Sequence, residues 1–466
     1  MPKPRSEREF ALEVVRTLRQ AGHEALFAGG CVRDELLGLV PQDYDVATSA
    51  RPEQVQQLFR RTVAVGAAFG VIDVIGPRPF SVQVATFRTD GTYSDSRRPD
   101  QVVFCSAEED AKRRDFTING MFLDPLENRV IDYVGGQADL ANRVLRAIGQ
   151  PRERFAEDHL RLLRAVRMAS RFELTVEPVT DRALRDMAPL LGTSVSAERI
   201  AEELRKILTN RHRARGMQLF MEYGLAKVIL PELVPMCGLP QGPPRPDGPP
   251  LPILGQAGDV TAFNGTDTLD LWQHTLRVLE YLEPDASFPL AFAALLHDVG
   301  KPRTVGRTPD RYTFYNHEHV GRRIAGQIAN RLRLSNQERQ RIEWLVEKHQ
   351  ILADAPQMRP AKLKPLLVHP GYEELIALHI ADARACGRSL EHIEWTRKRR
   401  QEWEQAGTLW PEPILSGDDL IALGLQPGPQ FRTLLETVRS AQLDGTIFTR
   451  EQAMQMIREL ALMDAG

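Results

Sequence analysis

Hydrophobic positions recur at helical spacing over residues 7–22, and a four-residue apolar run, Ala25–Ala28, follows and stops at two glycines. The first pattern predicts an amphipathic helix and the second a short buried strand. Apolar-rich segments at 63–75 and 80–87 read as a strand pair set apart by Gly76-Pro77-Arg78-Pro79, and 130–134 reads as a further strand. From Glu157 the hydrophobic period lengthens to that of helices and holds to about Leu230. Residues 231–268 interrupt it. They include Gly-Pro-Pro-Arg-Pro-Asp-Gly-Pro-Pro, which no regular element accommodates, and read as a linker or an ordered excursion. A second helical block spans 270–387, followed by a charged helix at 389–407 and a small helical tail. Strands in front and helices behind predict an α+β protein, a small mixed or antiparallel sheet followed by all-helical domains.

At 466 residues the chain exceeds what one core supports, so three or four domains are expected. With 60 basic and 62 acidic side chains the formal net charge is -2, so any nucleic-acid surface has to be local. Four scattered cysteines, Cys31, Cys105, Cys237 and Cys386, fit a reducing cytosol and argue against a zinc–thiolate site. The most apolar stretch, 290–296, is far below membrane-spanning length, and Met-Pro-Lys-Pro-Arg at the start lacks a signal peptide's apolar region. A cytoplasmic protein with no membrane partner is expected.

Chemistry enters at Gly29-Gly30-Cys31-Val32-Arg33-Asp34, followed by Asp43-Tyr44-Asp45. A glycine turn leads into a short helix and brings backbone N–H groups close to phosphate oxygens. Asp43 and Asp45, two apart on the next expected strand, point to one face while Tyr44 points away. Two carboxylates this close repel unless a dication lies between them, so they are candidate catalytic residues and Mg²⁺ ligands acting on a nucleoside triphosphate. Arg33 suits phosphate or a brace for the metal carboxylates. In Lys112-Arg113-Arg114-Asp115-Phe116-Thr117-Ile118-Asn119, the Arg113 and Arg114 forks match triphosphate oxygens, and Asp115 suits sugar hydroxyls. Asn119 fits a cap or a sugar pocket equally well, and a surface charge run explains the same cluster without a ligand.

Glu157-Asp158-His159-Leu160-Arg161 opens the helical region. Asp158 and Arg161, three apart on a helix, would emerge on one face. A carboxylate acceptor beside a guanidinium donor can read a base edge; an intrahelical salt bridge is the alternative. Arg161, Arg164, Arg167 and Arg171 form a stripe, and Arg205-Lys206 with Arg211, Arg213 and Arg215 form a second basic patch. Both suit an RNA phosphate backbone.

These motifs closely resemble those of the bacterial-type class II tRNA nucleotidyltransferases, the CCA-adding enzymes, and their poly(A) polymerase relatives. Asp132-x-x-Gly135-Gly136-x-x-Asp139-Leu140 and Ala197-Glu198-Arg199-Ile200 extend the match. Gly120 departs from it, since alanine usually follows Thr-x-Asn in the family. The resemblance implies Mg²⁺ on Asp43 and Asp45, the sugar on Arg114 and Asp115, and Asp158 with Arg161 as the amino-acid template for ATP and CTP. It also implies tRNA as partner and a head, neck, body and tail: a catalytic head at 1–145, a neck at 146–235, a linker at 236–268, an HD phosphohydrolase-like domain at 269–390 and a tail at 391–466. The polar loop at 87–99 resembles the family's flexible loop, which is short in CC-adding relatives. Its presence fits complete CCA addition or A-addition alone. The sequence Val-Ala-Val-Gly-Ala-Ala-Phe-Gly at 63–70 departs from the basic pattern of poly(A) polymerases.

Seven of the eleven histidines lie between His274 and His379. His274, the pair His297-Asp298 and Asp382 resemble the ligand pattern of the HD phosphohydrolase fold. His317, His319 and His349 are candidates for a second metal or for phosphate. Such ligands suit Mg²⁺, Mn²⁺, Ni²⁺ or Fe²⁺. Because His297 and Asp298 end an apolar helix before Gly300-Lys301-Pro302, they are expected at a pocket rim. HD-containing relatives imply a phosphatase or 2′,3′-cyclic phosphodiesterase that repairs tRNA ends. The reading from another class is an HD phosphohydrolase whose front half only binds RNA.

Overall fold

The computed structural model describes residues 6–66, 70–90, 102–240, 270–308 and 311–463, in two compact units, Met1–Val234 and Pro235–Gly466. Residues 91–99 of the polar loop and 241–268 of the Pro/Gly-rich stretch lie outside the described residues.

In the first unit, Ser6 caps the helix Glu7–Gln20 by accepting the Glu9 amide, and the helix buries Phe10, Val14, Val15 and Leu18. The first nine strands described in this unit are β1 (Ala25–Ala28), β2 (Asp45–Thr48), β3 (Thr62–Gly66), β4 (Val71–Ile75), β5 (Ser81–Thr86), β6 (Arg88–Asp90), β7 (Val102–Phe104), β8 (Phe122–Asp124) and β9 (Arg129–Ile131). Seven form one sheet in the order β3-β4-β5-β2-β1-β8-β9, while β6 and β7 pair separately. In that sheet β2 and β5 run parallel and every other neighbouring pair antiparallel, so the sheet is mixed. The first helix packs on β1, β2 and β5. Leu26, Ala28, Ala47, Phe87, Ala107, Ala111 and Phe122 form a buried cluster. Each large side chain fully buried there contributes about 1.5–3 kcal/mol.

Three expectations change. Residues 63–75 hold two strands, β3 and β4, paired antiparallel with Gly66 opposite Val71, and Gly70 ahead of β4 has φ +80°, a conformation that suits glycine. The strand expected at 130–134 ends at Ile131, where the Asp132 carboxylate takes up the amides of Val134, Gly135, Gly136 and Gln137. The helical run from Glu157 is broken: Pro151–Glu157 stops, Asp158 is extended with φ -151°, and Leu160–Arg171 begins after it. Leu160–Arg171 then packs on both Ala197–Leu208 and Arg213–Glu222.

In the second unit, Phe288–Leu296 is apolar all round and buried almost throughout. It packs against the helices Leu271–Tyr281, His317–Arg331, Asn336–Lys348 and Tyr372–Ala385. The charged helix is Glu391–Gln405. The tail helices Gly417–Ala422, Pro429–Asp444 and Arg450–Met463 enclose Leu420, Leu434, Val438 and Ile457. Ser416 and Asp419 form a capping box there. No helix among the described residues is long and apolar enough to cross a membrane.

Candidate active site and metal centre

The glycine turn and the paired aspartates meet because β1 and β2 are neighbours: Ala28, the last residue of β1, stands opposite Asp45, the first of β2. Gly29 has φ +71°, and a Cβ there would lie 3.0 Å from Arg114 Nη1, so only glycine lets the backbone pass under that guanidinium. Asp43 precedes β2 rather than lying on it and is exposed; Tyr44 turns the other way, its ring 5.2 Å from Phe27 and its hydroxyl on Glu35. Asp45 keeps an exposed face, yet desolvation of its carboxyl pushes its pKa up to about 6, with Asp43, Asp73 and Glu7 adding to the rise and Arg114 opposing it. Like charges gathered in this way fit a hard divalent cation.

Asp73 carries no sequence signal of its own. Strand pairing sets Asp45, Gln83 and Asp73 side by side on β2, β5 and β4, and Asp73 Oδ1 is buried with no hydrogen-bond partner. Asp110 is the other residue that motif reading missed. It is 1% exposed and holds both Arg113, at 2.7 Å, and Arg114, at 2.9 Å. A buried acid ahead of an Arg-Arg pair on a short helix was the available clue.

The remaining front-half candidates form one network. Asp115 Oδ1 accepts the Phe116 amide and Asn119 Nδ2, and Asp115 Oδ2 accepts Arg164 Nε at 2.7 Å. Burial opposes ionisation of Asp115, but Arg164 and the Asn119 amide outweigh it and hold its carboxyl well below the usual range. Arg33 is buried, bound to Asp34 at 2.6 Å and to Asn119 Oδ1 at 2.5 Å, with Phe172 under its guanidinium. It is thus a brace between the glycine helix and the Asn119 turn, not a group at the solvent edge. Asp158 and Arg161 do not pair. Asp158 Oδ1 accepts the Leu160 amide and the carboxylate takes Arg199 on both oxygens; Arg161 pairs with Glu157 at 2.5 Å.

The arginine stripe faces inward. Arg161 meets Glu157, Arg164 meets Asp115, Arg167 meets Glu203 and Arg171 meets Asp34. In the second basic patch Arg213 is 1% exposed and donates to the carbonyls of Leu208 and Asn210. The helical spacing was right, but the side it presents is covered by carboxylates from other segments.

In the second unit His274, His297 and Asp382 form one compact donor group, and Asp298, His317 and His349 form another. His274 lies on Leu271–Tyr281 and Asp382 on Tyr372–Ala385, while His317 opens His317–Arg331 and His349 ends Asn336–Lys348. His297 and Asp298 are 0% and 1% exposed, not at a rim, since the helix that presents them is the buried one. His319 is excluded from both groups; it faces outward beside Glu347. The Nδ1 atoms of His297, His317 and His349 each lie 2.7 Å from a backbone carbonyl three residues earlier, so each carries the proton there and Nε2 is a bare lone pair. Those lone pairs converge: His274 and His297 Nε2 are 3.2 Å apart, His317 and His349 Nε2 3.4 Å. Asp298 Oδ1 has no hydrogen-bond partner. Burial opposes ionisation of Asp298, but Lys301 at 2.7 Å and His297 keep it well below the usual carboxylate range. Facing lone pairs and an orphaned carboxylate oxygen fit divalent cations.

Comparison with known proteins agrees with this division. Residues 25–146 match the poly A polymerase head domain, 173–237 the probable RNA and SrmB-binding site of polymerase A, and 271–385 the HD domain. The fold and its two clusters therefore define a nucleotidyltransferase head with a helical RNA-binding segment and an HD domain. A CCA-adding enzyme of Levilactobacillus brevis is 44% identical over 220 residues, 47% of this chain and 55% of its own length. That of Bacillus subtilis is 44% identical over 213 residues, 46% and 53% of the two chains. The chain thus spans about half the length of the curated relatives it matches. The Bacillus stearothermophilus CCA-adding enzyme, solved with CTP, superposes with a TM-score of 0.71 at 26% identity, covering 99% of this chain and 100% of that one. The Thermotoga maritima CCA-adding enzyme, solved with tRNA, shares the fold, with a TM-score of 0.56 at 18% identity over 99% and 97% of the two chains. The chain thus matches a poly A polymerase head domain and an HD domain and is similar to bacterial CCA-adding enzymes; nucleotidyltransferase chemistry of this kind uses a divalent metal.

Proposed function

We propose that the protein adds CCA to the 3′ end of tRNA from CTP and ATP, without a nucleic-acid template, in the cytoplasm. The observation that carries this reading is the carboxylate group of Asp43, Asp45, Asp73 and Glu7 beside the Gly29 turn and Arg114. In this reading residues 1–145 are the catalytic head, 146–235 the neck that holds the base, 236–268 a linker, 269–390 the HD domain and 391–466 a tail. Asp43 and Asp45 hold Mg²⁺, which when bound lowers the pKa of the tRNA hydroxyl and offsets charge on the triphosphate. Gly30 presents its backbone N–H to the phosphates, the Gly29 N–H being held by the Met121 carbonyl, and Arg113 and Arg114, aligned by Asp110, add guanidinium donors. Asp115, Asn119 and Arg164 address the sugar through their shared network, with Arg33 fixing Asn119. Asp158 and Arg161 read the base edge: Asp158 Oδ1 is filled by the Leu160 amide and Arg199, while Oδ2, engaged by Arg199 alone, keeps a second lone pair for an exocyclic amine. Arg167 supports this surface from below through Glu203.

The test offers purified protein and Mg²⁺ to tRNA ending at the discriminator base, at C and at CC, with CTP, ATP or both, and reads the 3′ ends at single-nucleotide resolution. Addition of C, C and A, then arrest, supports the reading. Activity only on CC-ended tRNA with ATP makes the protein an A-adding enzyme, and runs of adenosine make it a poly(A) polymerase.

The convergent imidazoles favour a second activity, metal-dependent phosphomonoester or 2′,3′-cyclic phosphodiester hydrolysis at His274, His297, Asp298, His317, His349 and Asp382, with Mg²⁺, Mn²⁺, Ni²⁺ or Fe²⁺. Release of phosphate from a 3′-phosphorylated or cyclic-ended oligonucleotide, lost in His297→Ala, tests it.

A further inference from the structure

Three of the four imidazoles in the HD cluster are fixed in the same way, by an Nδ1–H donated to the carbonyl three residues earlier in the chain. His274 is held differently. The carbonyl three residues before it, that of Leu271, receives the Thr275 hydroxyl, and His274 Nδ1 faces the sulfur of Cys386 at 3.7 Å. The same sulfur lies 4.0 Å from Asp382 Oδ1. Cys386 therefore touches two members of the group formed by His274, His297 and Asp382, and the hydrogen-bond contacts of its sulfur are confined to that group among the described residues.

We propose that Cys386 is the positioning residue for one of the two metal ions, and that it tunes that ion independently of the other. The thiol donates its S–H to Asp382 and accepts Nδ1–H from His274. This fixes the tautomer that leaves His274 Nε2 bare, 3.1 Å from Asp382 Oδ1. The group of Asp298, His317 and His349 is set by main-chain carbonyls, which no side-chain substitution removes. Both imidazoles of one group are thus set by the backbone, while the other group joins the backbone-set His297 to His274, set by a single side chain on the end of the helix Tyr372–Ala385.

The proposal rests on the reading of this cluster as a metal centre, so its test separates the two. Full-length protein stripped of metal and carrying Asp45→Asn, which takes the front-half carboxylate site out of the titration, is titrated with Mn²⁺ by calorimetry with the HD cluster as wild type, His297→Ala, Cys386→Ala and Cys386→Ser, with thermal unfolding of the metal-free forms as the folding control. Groups that orient metal ligands typically govern affinity by about tenfold or more. The expected result is that Cys386→Ala weakens one Mn²⁺ by about that factor and leaves the other unchanged, while Cys386→Ser, which keeps a donor and an acceptor, recovers part of the loss. Equal affinities in wild type and Cys386→Ala, or equal weakening of both ions, overturns the positioning role while leaving the metal centre standing. Indistinguishable titrations of wild type and His297→Ala overturn both.

Discussion

Arg199 grips Asp158 with two guanidinium nitrogens, at 2.7 and 3.2 Å, across 41 positions of sequence. Asp158 Oδ1 also accepts the Leu160 amide at the head of the helix Leu160–Arg171, so the carboxylate of this extended residue is fixed from two sides. Arg199→Ala frees that carboxylate to rotate. About 1.4 kcal/mol of lost alignment corresponds to tenfold, so discrimination between CTP and ATP is expected to fall about tenfold. Single-turnover incorporation of each nucleotide on CC-ended tRNA measures it, with Arg199→Lys retaining part of the selectivity.

Asp110 acts on the same reaction from below. With Asp110→Asn the two guanidiniums of Arg113 and Arg114 lose the charge that aligns them. The Michaelis constant for both nucleotides should rise, while the ratio of CTP to ATP use stays as in wild type. Steady-state kinetics with each nucleotide distinguishes this from the effect at Arg199.

The raised carboxyl of Asp45 gives the front site a pH signature. An acid whose folded pKa lies near 6, above its unfolded value, favours the folded state at low pH and loses that contribution as pH rises through about 6. Ion binding runs the opposite way, because only the carboxylate binds. Below about pH 6 the front-site affinity for Mg²⁺ should fall about tenfold per pH unit, and Asp45→Asn should abolish that dependence along with nucleotide addition. Mn²⁺ binding followed by electron paramagnetic resonance across that range checks the slope.

Arg167 and Glu203 are 11% and 4% exposed at the side chain. Arg167→Ala leaves Glu203 buried without its main counter-charge, and breaking such a pair costs about 3–5 kcal/mol. Replacing both by apolar residues of similar volume should cost much less. Urea unfolding of the two variants, followed by tryptophan-independent far-ultraviolet dichroism, measures the difference.

The local motifs were legible because each depends on neighbours in sequence: the glycine turn at Gly29, the strand Ala25–Ala28 and the apolar helix before His297. What escaped was set by pairing between distant segments. Asp73 joins the row of Asp45 only through the register of β4 on β5, and Arg199 reaches Asp158 only when two helices pack. The outward assignment of the arginine stripe failed for the same reason. Periodicity identifies a face, and only tertiary packing says that Asp34, Asp115 and Glu203 cover it. His319 was drawn in by proximity to His317, yet two residues further along a helix its side chain points elsewhere.

Those same ion pairs decide which pieces of the chain are able to stand alone. Asp34 and Asp115 are buried in the sheet-bearing part, while the arginines that neutralise them, Arg171 and Arg164, come from the helix Leu160–Arg171. A fragment cut near residue 145 would keep the acids and discard part of their counter-charge. The border proposed near residue 145 is thus not a border of folding, and the first unit is expected to express and unfold as one piece.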